Sequence, residues 1–297
     1  MTHDSFATYH PVVNFIFFAV MFTFSMIFMH PVFQALSLVS AVVYSIQLTG
    51  KRAVRFQLIY LLPLVIVMAA MNPLFHHAGV TILFYLRSGN PITLESILYG
   101  AAAACMFVTV ILWFSCYNAV MTSDKFIYLF GKVWPALSLV FAMALRFVPR
   151  YIGQIKIIAK TQQCIGRDVS QGHLVQRARN GLAIVSIMTT WALENAIDTA
   201  DSMKARGYGL PNRTSFSLYR LDRRDQAMLL IMTGLIAWVT VGAFLGENTI
   251  RFFPSVKRVE VTWYSITVYI AFGLLSMLPI IVNVVEGLKW KSIASKI

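Results

Sequence analysis

Charge is scarce in this 297-residue chain. Only 12% of its residues are Asp, Glu, Lys or Arg, where a soluble domain carries about a quarter. With 58% hydrophobic residues and a mean hydropathy of +0.69, that deficit excludes an ordinary water-soluble fold and makes a bilayer the natural solvent. Cysteine is nearly absent too: Cys105, Cys116 and Cys164 form no CxxC pair, which excludes a disulfide framework and a cysteine-rich zinc site. No GxxxxGK[ST] occurs, so the chain is not expected to bind ATP by itself. The GxSxG and HExxH patterns of common membrane hydrolases are missing as well. The first apolar stretch lacks a basic leader and a small-residue cleavage site, so it is expected to remain as a span rather than be removed.

What is present is a series of long apolar runs. Crossing the hydrocarbon core takes roughly 20 apolar residues in a helix, and six uncharged runs meet that need: residues 12–29, 31–48, 56–72, 96–121, 226–246 and 261–285. Each must be helical, because lipid offers its backbone no hydrogen-bond partner. The predicted fold is therefore all-α: a polytopic integral membrane protein with about six transmembrane helices. No ionisable residue interrupts the six runs, which counts against an ion- or proton-coupled carrier.

The net charge of +13 is read as cytoplasmic loops obeying the positive-inside bias, and no nucleic-acid partner is expected. Lys51, Arg52 and Arg55 mark the second loop as cytoplasmic, which places the N-terminus inside. Lys289, Lys291 and Lys296 place the C-terminus inside too. Arg251, Lys257 and Arg258 oppose this assignment, in a loop that it puts outside.

Composition changes between the fourth and fifth runs. Residues 122–225 hold 15 of the 25 Lys and Arg residues, from Lys125 to Arg224. The expected organisation is a membrane domain of four spans (1–121), a cytoplasmic coupling domain (122–225) and a second membrane domain of two spans (226–297). Within the insert, residues 133–145 are apolar but short and contain Pro135, so they read as a buried or interfacial helix. Residues 151–164 read as a second helix, with Ile152, Ile155, Ile158 and Ala159 on one face, and about 182–205 as a third, with a stripe through Leu182, Val185, Met188, Trp191, Ala192 and Asn195. The last two are expected to pack through Ile155, Ile158, Ile184, Ile187 and Trp191.

The stretch DSMKARGYGLPNRT, residues 201–214, closes the third helix. Lys204 and Arg206 suit the negative end of a helix dipole, and Gly207 suits the left-handed residue that stops a helix. Arg206, flanked by small Ala205 and Gly207, also presents a fork of donors on a slim tip, shaped for a partner's carboxylate or carbonyls. An echo lies 39 positions earlier, where TQQCIGRD ends the second helix at Gly166, Arg167 and Asp168.

The run ALRFVPRYIGQIKIIAKTQQCIGRD, followed about thirty residues later by ALENAIDTADSMKARGYGLPNRT, resembles the transmembrane T component of energy-coupling-factor transporters. The resemblance is clearest from Gly131 to Thr214. It implies a non-catalytic scaffold in a bacterial or archaeal plasma membrane, placed between two ABC-type ATPases at the cytoplasmic face and a small substrate-binding membrane subunit. No metal or cofactor is implied for the scaffold itself. The docking residues implied are Gly166, Arg167 and Asp168 at the first tip and Ala205, Arg206 and Gly207 at the second. Arg146, Pro149, Ile155, Ile158, Trp191 and Arg213 would support the coupling helices. The second tip matches the Ala-Arg-Gly pattern in full. The first departs from it, with Asp168 where the pattern has glycine; there Asp is expected to take the left-handed cap position and to place an anion beside Arg167.

Other constellations read more plainly. His76-His77 has no third ligand nearby and is expected to be structural. His173 reads as a solvated loop residue. Glu194, Asp198 and Asp201 share a helix face and are expected to pair with Arg177, Arg179 or Lys204. The Phe- and Met-rich run of residues 15–29 reads as lipid-facing or subunit-packing surface, and the small residues 100–105 as a candidate contact to the substrate subunit. The rival function is an integral membrane enzyme acting on a lipid-linked or small polar substrate, with the acidic stripe and His173 as its site.

Overall fold

The computed structural model describes residues 4–85, 91–131, 134–210, 219–246, 248–255, 257–258 and 262–294. The chain is all-α and polytopic, and it divides into two compact units: Met1–Lys125 with Tyr219–Ile297, and Phe126–Leu218.

In the first unit, α1 (Pro11–Ile27) and α2 (Pro31–Thr49) each start on a His-Pro pair. His10 and His30 accept from the backbone N–H groups of Val12 and Val32, and the prolines fill the first helical position, where a missing N–H costs nothing. Gly50, at φ +58°, turns the chain into α3 (Lys51–Phe56). A π-helical turn, Gln57–Leu61, then leads into α4 (Leu62–Phe75) without a break. Pro63 explains the wider turn, because its ring crowds the carbonyl one turn earlier and it has no N–H to offer there. After a short antiparallel ladder of β1 (Ile82–Tyr85) and β2 (Pro91–Thr93) comes α5 (Leu94–Val120). α9 (Arg223–Phe244) and α10 (Trp263–Ala294) complete the unit, with β3 (Ile250–Arg251) paired to β4 (Lys257–Arg258) between them. Among the described residues, five helical stretches are long and apolar enough to cross a membrane, and α1 is a shorter apolar helix.

The core of this unit is aromatic. Trp113, Tyr44, Phe17, Phe18, Phe33 and Phe272 are fully buried, and Phe17 meets Trp113 edge to face at 5.6 Å. This corrects the expectation for residues 15–29: Phe17, Phe18, Met21 and Phe24 point inward, and it is Met26 and Ile27 that are exposed. Several intramembrane polar groups find partners on neighbouring helices, since lipid offers none. Trp113 Nε1 donates to Ser37, Ser37 and Ser25 share a bond of 2.9 Å, and Ser40 donates to Ser276. Of the small residues 100–105, Gly100 and Ala104 turn inward, while Ala101 is exposed. A Cβ on Gly100 would stand 2.7 Å from the Ala69 carbonyl oxygen, and Ala104 is buried; the close approach they permit is spent on α4.

One end of the unit is closed by the segment before α1. Asn283 accepts from the Ser5 and Phe6 backbone and donates to Asp4 at 2.7 Å. Lys125 Nζ donates to the Ala7 carbonyl at 2.6 Å; burial holds its pKa below the ordinary lysine value, with the charge of Asp4 opposing. Arg224 lies 4.0 Å over the Tyr9 ring and pairs with Glu286 at 3.0 Å.

The second unit contains α7 (Pro135–Cys164) and α8 (Leu174–Ala205), with α6 (Ser123–Gly131) crossing into it. α7 is one continuous helix, where the sequence points to two, over residues 133–145 and 151–164. Pro149 lies inside it, and Phe147 and Tyr151 stack astride the proline with ring centroids 5.8 Å apart. That (i, i+4) contact supports the helix where one backbone bond is missing. α8 likewise starts at Leu174, eight residues before the expected 182.

Candidate docking site

Both arginine tips follow a helix end, and both ends are closed by the same hydrogen-bond pattern. At the end of α7, Arg167 N–H donates to the Gln162 carbonyl at 2.9 Å and Gly166 N–H to Gln163 at 3.0 Å. At the end of α8, Tyr208 N–H donates to Met203 at 3.0 Å and Gly207 N–H to Lys204 at 2.9 Å. These are the paired six-to-one and five-to-two bonds of a Schellman motif, which needs a left-handed residue at its turn. Gly166 (φ +77°) and Gly207 (φ +78°) supply it.

The first tip is therefore built differently from the sequence reading. Asp168 does not take the left-handed position; Gly166 does, because glycine carries no Cβ to clash there. The consequence is a change of register: Arg206 precedes its glycine and is the last residue before the turn, whereas Arg167 follows its glycine and lies just past the turn. Asp168 folds back onto its own connection. Its carboxylate accepts from the Ser170 N–H at 2.8 Å, Ser170 Oγ at 2.6 Å and Gln163 Nε2 at 3.3 Å. The Ser170 hydroxyl and N–H hold this carboxyl below the usual aspartate pKa. Among the described residues no ion pair joins it to Arg167.

Arg167, Ala205 and Arg206 are exposed, Asp168 and Gly207 half-buried, and Gly166 exposed. The Asp168 carbonyl accepts from Asn180 Nδ2 of α8 at 2.9 Å, which sets Arg167 near the start of that helix. Arg206 lies at its other end, about 40 Å further along the axis at 1.5 Å per residue. The two guanidinium groups thus mark opposite ends of one long element.

Between the tips, α7 and α8 run antiparallel and are clamped. Trp191 meets Tyr151 edge to face at 5.5 Å, and the Arg150 guanidinium lies 5.4 Å from the indole centroid. Ile158 and Ile184 are buried. Ile155 and Ile187 are exposed at 44% and 40%, so they sit at the edge of the contact rather than in it. Tyr151, Ile155, Ile184, Val185, Met188 and Ala192 line an open apolar groove of about 370 Å³. Leu182, Val185, Leu193 and Ile197 stay more than half exposed, so within this unit α7 covers only part of the apolar face of α8. Arg146 and Pro149 are exposed on α7, and Arg213 lies outside the described residues. Sequence reasoning missed Arg150, Tyr151 and Asn180. Tyr151 was detectable, since it falls on the helical stripe of Ile155 and Ile158; Asn180, on a polar stretch, carried no signal.

The remaining expectations are revised by position. Glu194, Asp198 and Asp201 are exposed, and among the described residues they form no ion pair with Arg177, Arg179 or Lys204; Arg177 donates instead to the Val169 carbonyl at 2.8 Å. His173 is the N-cap residue of α8, about 30 Å along the helix axis from Glu194, so the two cannot share one active site. Among the described residues no group of three or more His, Cys, Asp or Glu side chains could hold a metal.

No family model matches the chain. It is similar to the energy-coupling factor transporter transmembrane protein EcfT of Lacticaseibacillus paracasei, 33% identical over 104 residues that make up 34% of this chain and 39% of that protein. EcfT of Thermosediminibacter oceani is 35% identical over 102 residues, 34% of this chain and 38% of that protein. EcfT of Lactobacillus helveticus is 32% identical over 104 residues, 34% and 38%. The matches span about two fifths of the length of these relatives.

Proposed function

We propose that this membrane protein, similar over a third of its length to EcfT proteins, is the energy-coupling scaffold of an ATP-driven importer. Arg167 and Arg206 each dock on one of two cytoplasmic ABC-type ATPases. A small substrate-binding membrane subunit carries the vitamin or transition-metal ion, and the scaffold itself performs no catalysis. Both chain termini and both tips lie on the cytoplasmic side.

The observation that carries this reading is the pairing of two Schellman-capped tips, each exposing an arginine, at opposite ends of a clamped helix pair. A guanidinium presents up to five donors in a rigid fork, and fixing its backbone in a hydrogen-bonded turn lowers the ordering cost of docking. A separation of about 40 Å suits two partner subunits better than one. When the ATPases approach each other on binding ATP, tips seated in them are displaced, and α7 and α8 move as one body because Trp191 is held by Tyr151 and Arg150. The uncovered apolar face of α8 fits an apolar partner, since exposed apolar patches of this kind mark interaction surfaces.

Affinity purification of the chain in mild detergent, followed by mass spectrometry, tests the assignment. The expected companions are two ABC-type ATPase subunits and a small, very apolar membrane protein. Recovery of the chain alone, with catalytic turnover of a lipid-linked or polar substrate, contradicts it.

A further inference from the structure

A second groove lies in the first unit, far in sequence from the arginine tips and independent of the docking reading. Leu38, Val42 and Ile46 of α2 form one wall, Val54, Leu58, Leu61, Leu62 and Val65 the facing wall, and Val108 and Leu112 of α5 the floor. Its volume is about 290 Å³. From Val54 to Val65 the wall rises about 16 Å at 1.5 Å per residue, the reach of a fatty acyl chain rather than of a compact solute.

Two features distinguish the end nearest Gly50. Lys51, Arg52 and Arg55 are all exposed there, and Lys51 is one helical turn before Val54 on the same face. Gln57 is the one polar residue lining the groove; its Nε2 is buried and has no hydrogen-bond partner among the described residues. A buried donor without an acceptor is costly, and a bound acceptor would remove that cost. In the sequence from α3 into α4 the chemistry thus runs from three cations, through one orphaned amide donor, to apolar side chains.

We propose that this groove is a binding site for one anionic phospholipid. The phosphate lies against Lys51, Arg52 and Arg55, an ester carbonyl accepts from Gln57 Nε2, and an acyl chain fills the space between α2 and α4. A zwitterionic lipid offers the same chain and ester but no net charge to match three cations, each worth about fivefold in affinity at an anionic surface.

The test uses the full chain in mild detergent with phosphatidylglycerol and phosphatidylcholine of matched acyl length, counting bound lipid by native mass spectrometry. Wild type retains phosphatidylglycerol at least about tenfold over phosphatidylcholine. K51Q/R52Q/R55Q removes the preference, and Q57L weakens retention while keeping it. L58W, which keeps every charge and fills the groove, loses retention of both lipids; it carries the test where the charge variant does not fold. Equal retention of the two lipids by wild type overturns the proposal, as does unchanged retention in L58W. Displacement of the lipid by millimolar inorganic phosphate would show a free-anion site and overturn it. So would cross-linking of a cysteine at position 58 to a second polypeptide in lipid-replete membranes.

Discussion

The indole of Trp191 on α8 stands edge-on to the phenol of Tyr151 on α7 at 5.5 Å, with the guanidinium of Arg150 5.4 Å from the indole centroid. One side chain is thus held by two residues of the facing helix, half-buried, midway along a hairpin in which Ile158 and Ile184 are also buried. The contact lies on α8 between the two tips and ties that helix to α7.

Replacing Trp191 with Ala removes an aromatic pair and a cation–π contact, each worth about 0.5 to 1.5 kcal/mol at partly exposed sites. The expected result in proteoliposomes holding the assembled transporter is ATP hydrolysis near the wild-type rate with uptake reduced several-fold. Phe at the same position, which keeps the ring contact, retains most of the uptake. Unchanged uptake in W191A would show that the helices need not move together.

The two glycines that turn the tips are unequal. Gly166→Ala places a Cβ in open space and suffers only the left-handed backbone penalty, about 1 to 2 kcal/mol. Gly207→Ala suffers the same penalty and also brings a Cβ to 3.0 Å from Leu210 Cδ1. Hydrogen exchange should show faster fraying at the end of α8 in G207A than at the end of α7 in G166A. Equal protection in both variants and wild type would contradict the cap assignment.

Acid should loosen the first tip and leave the second alone. The folded-state pKa of Asp168 is depressed by Ser170, so its contribution is fully present above the unfolded carboxyl value of about 4 and is lost as pH falls through the lower folded value. Amide exchange around residues 165–171, corrected for intrinsic rates, should therefore stay constant from about pH 5 to 8. Asp168→Asn should raise it across that whole range. A rise in the wild type between pH 8 and 5 would contradict this account of the connection.

The membrane elements were legible because lipid permits so few solutions: an uncharged run of about 20 residues has to be a helix. Which face of each helix turns inward was less legible. In residues 15–29 nearly every position is apolar, so periodicity cannot separate buried Phe17 from exposed Ile27. The small residues around Gly100 announced a close approach, but only the fold shows that Ala69 and Asn72 of the same chain accept it. Pro149 misled for a local reason: proline usually ends a helix, and the stacked rings of Phe147 and Tyr151 that carry α7 past it are visible only in three dimensions. The first tip misled because aligning arginine with arginine assigned the left-handed residue to Asp168, when a glycine stood two positions earlier. The acidic stripe shows that correct spacing on a face does not make an ion pair where water solvates both partners.

The central claim is that the guanidinium of Arg206 is the docking group of its tip. The most direct measurement is the yield of ATPase subunits co-purified with wild type, Lys204→Ala and Arg206→Ala at equal salt. Lys204 is in the last turn of α8 beside Arg206 and contributes a similar long-range charge, so it controls for electrostatics alone. A docked, charge-assisted bond is worth about 1.5 to 3 kcal/mol, so R206A should lower the yield by at least about tenfold while K204A remains within about twofold of wild type. Wild-type ATPase yield with R206A would contradict the account.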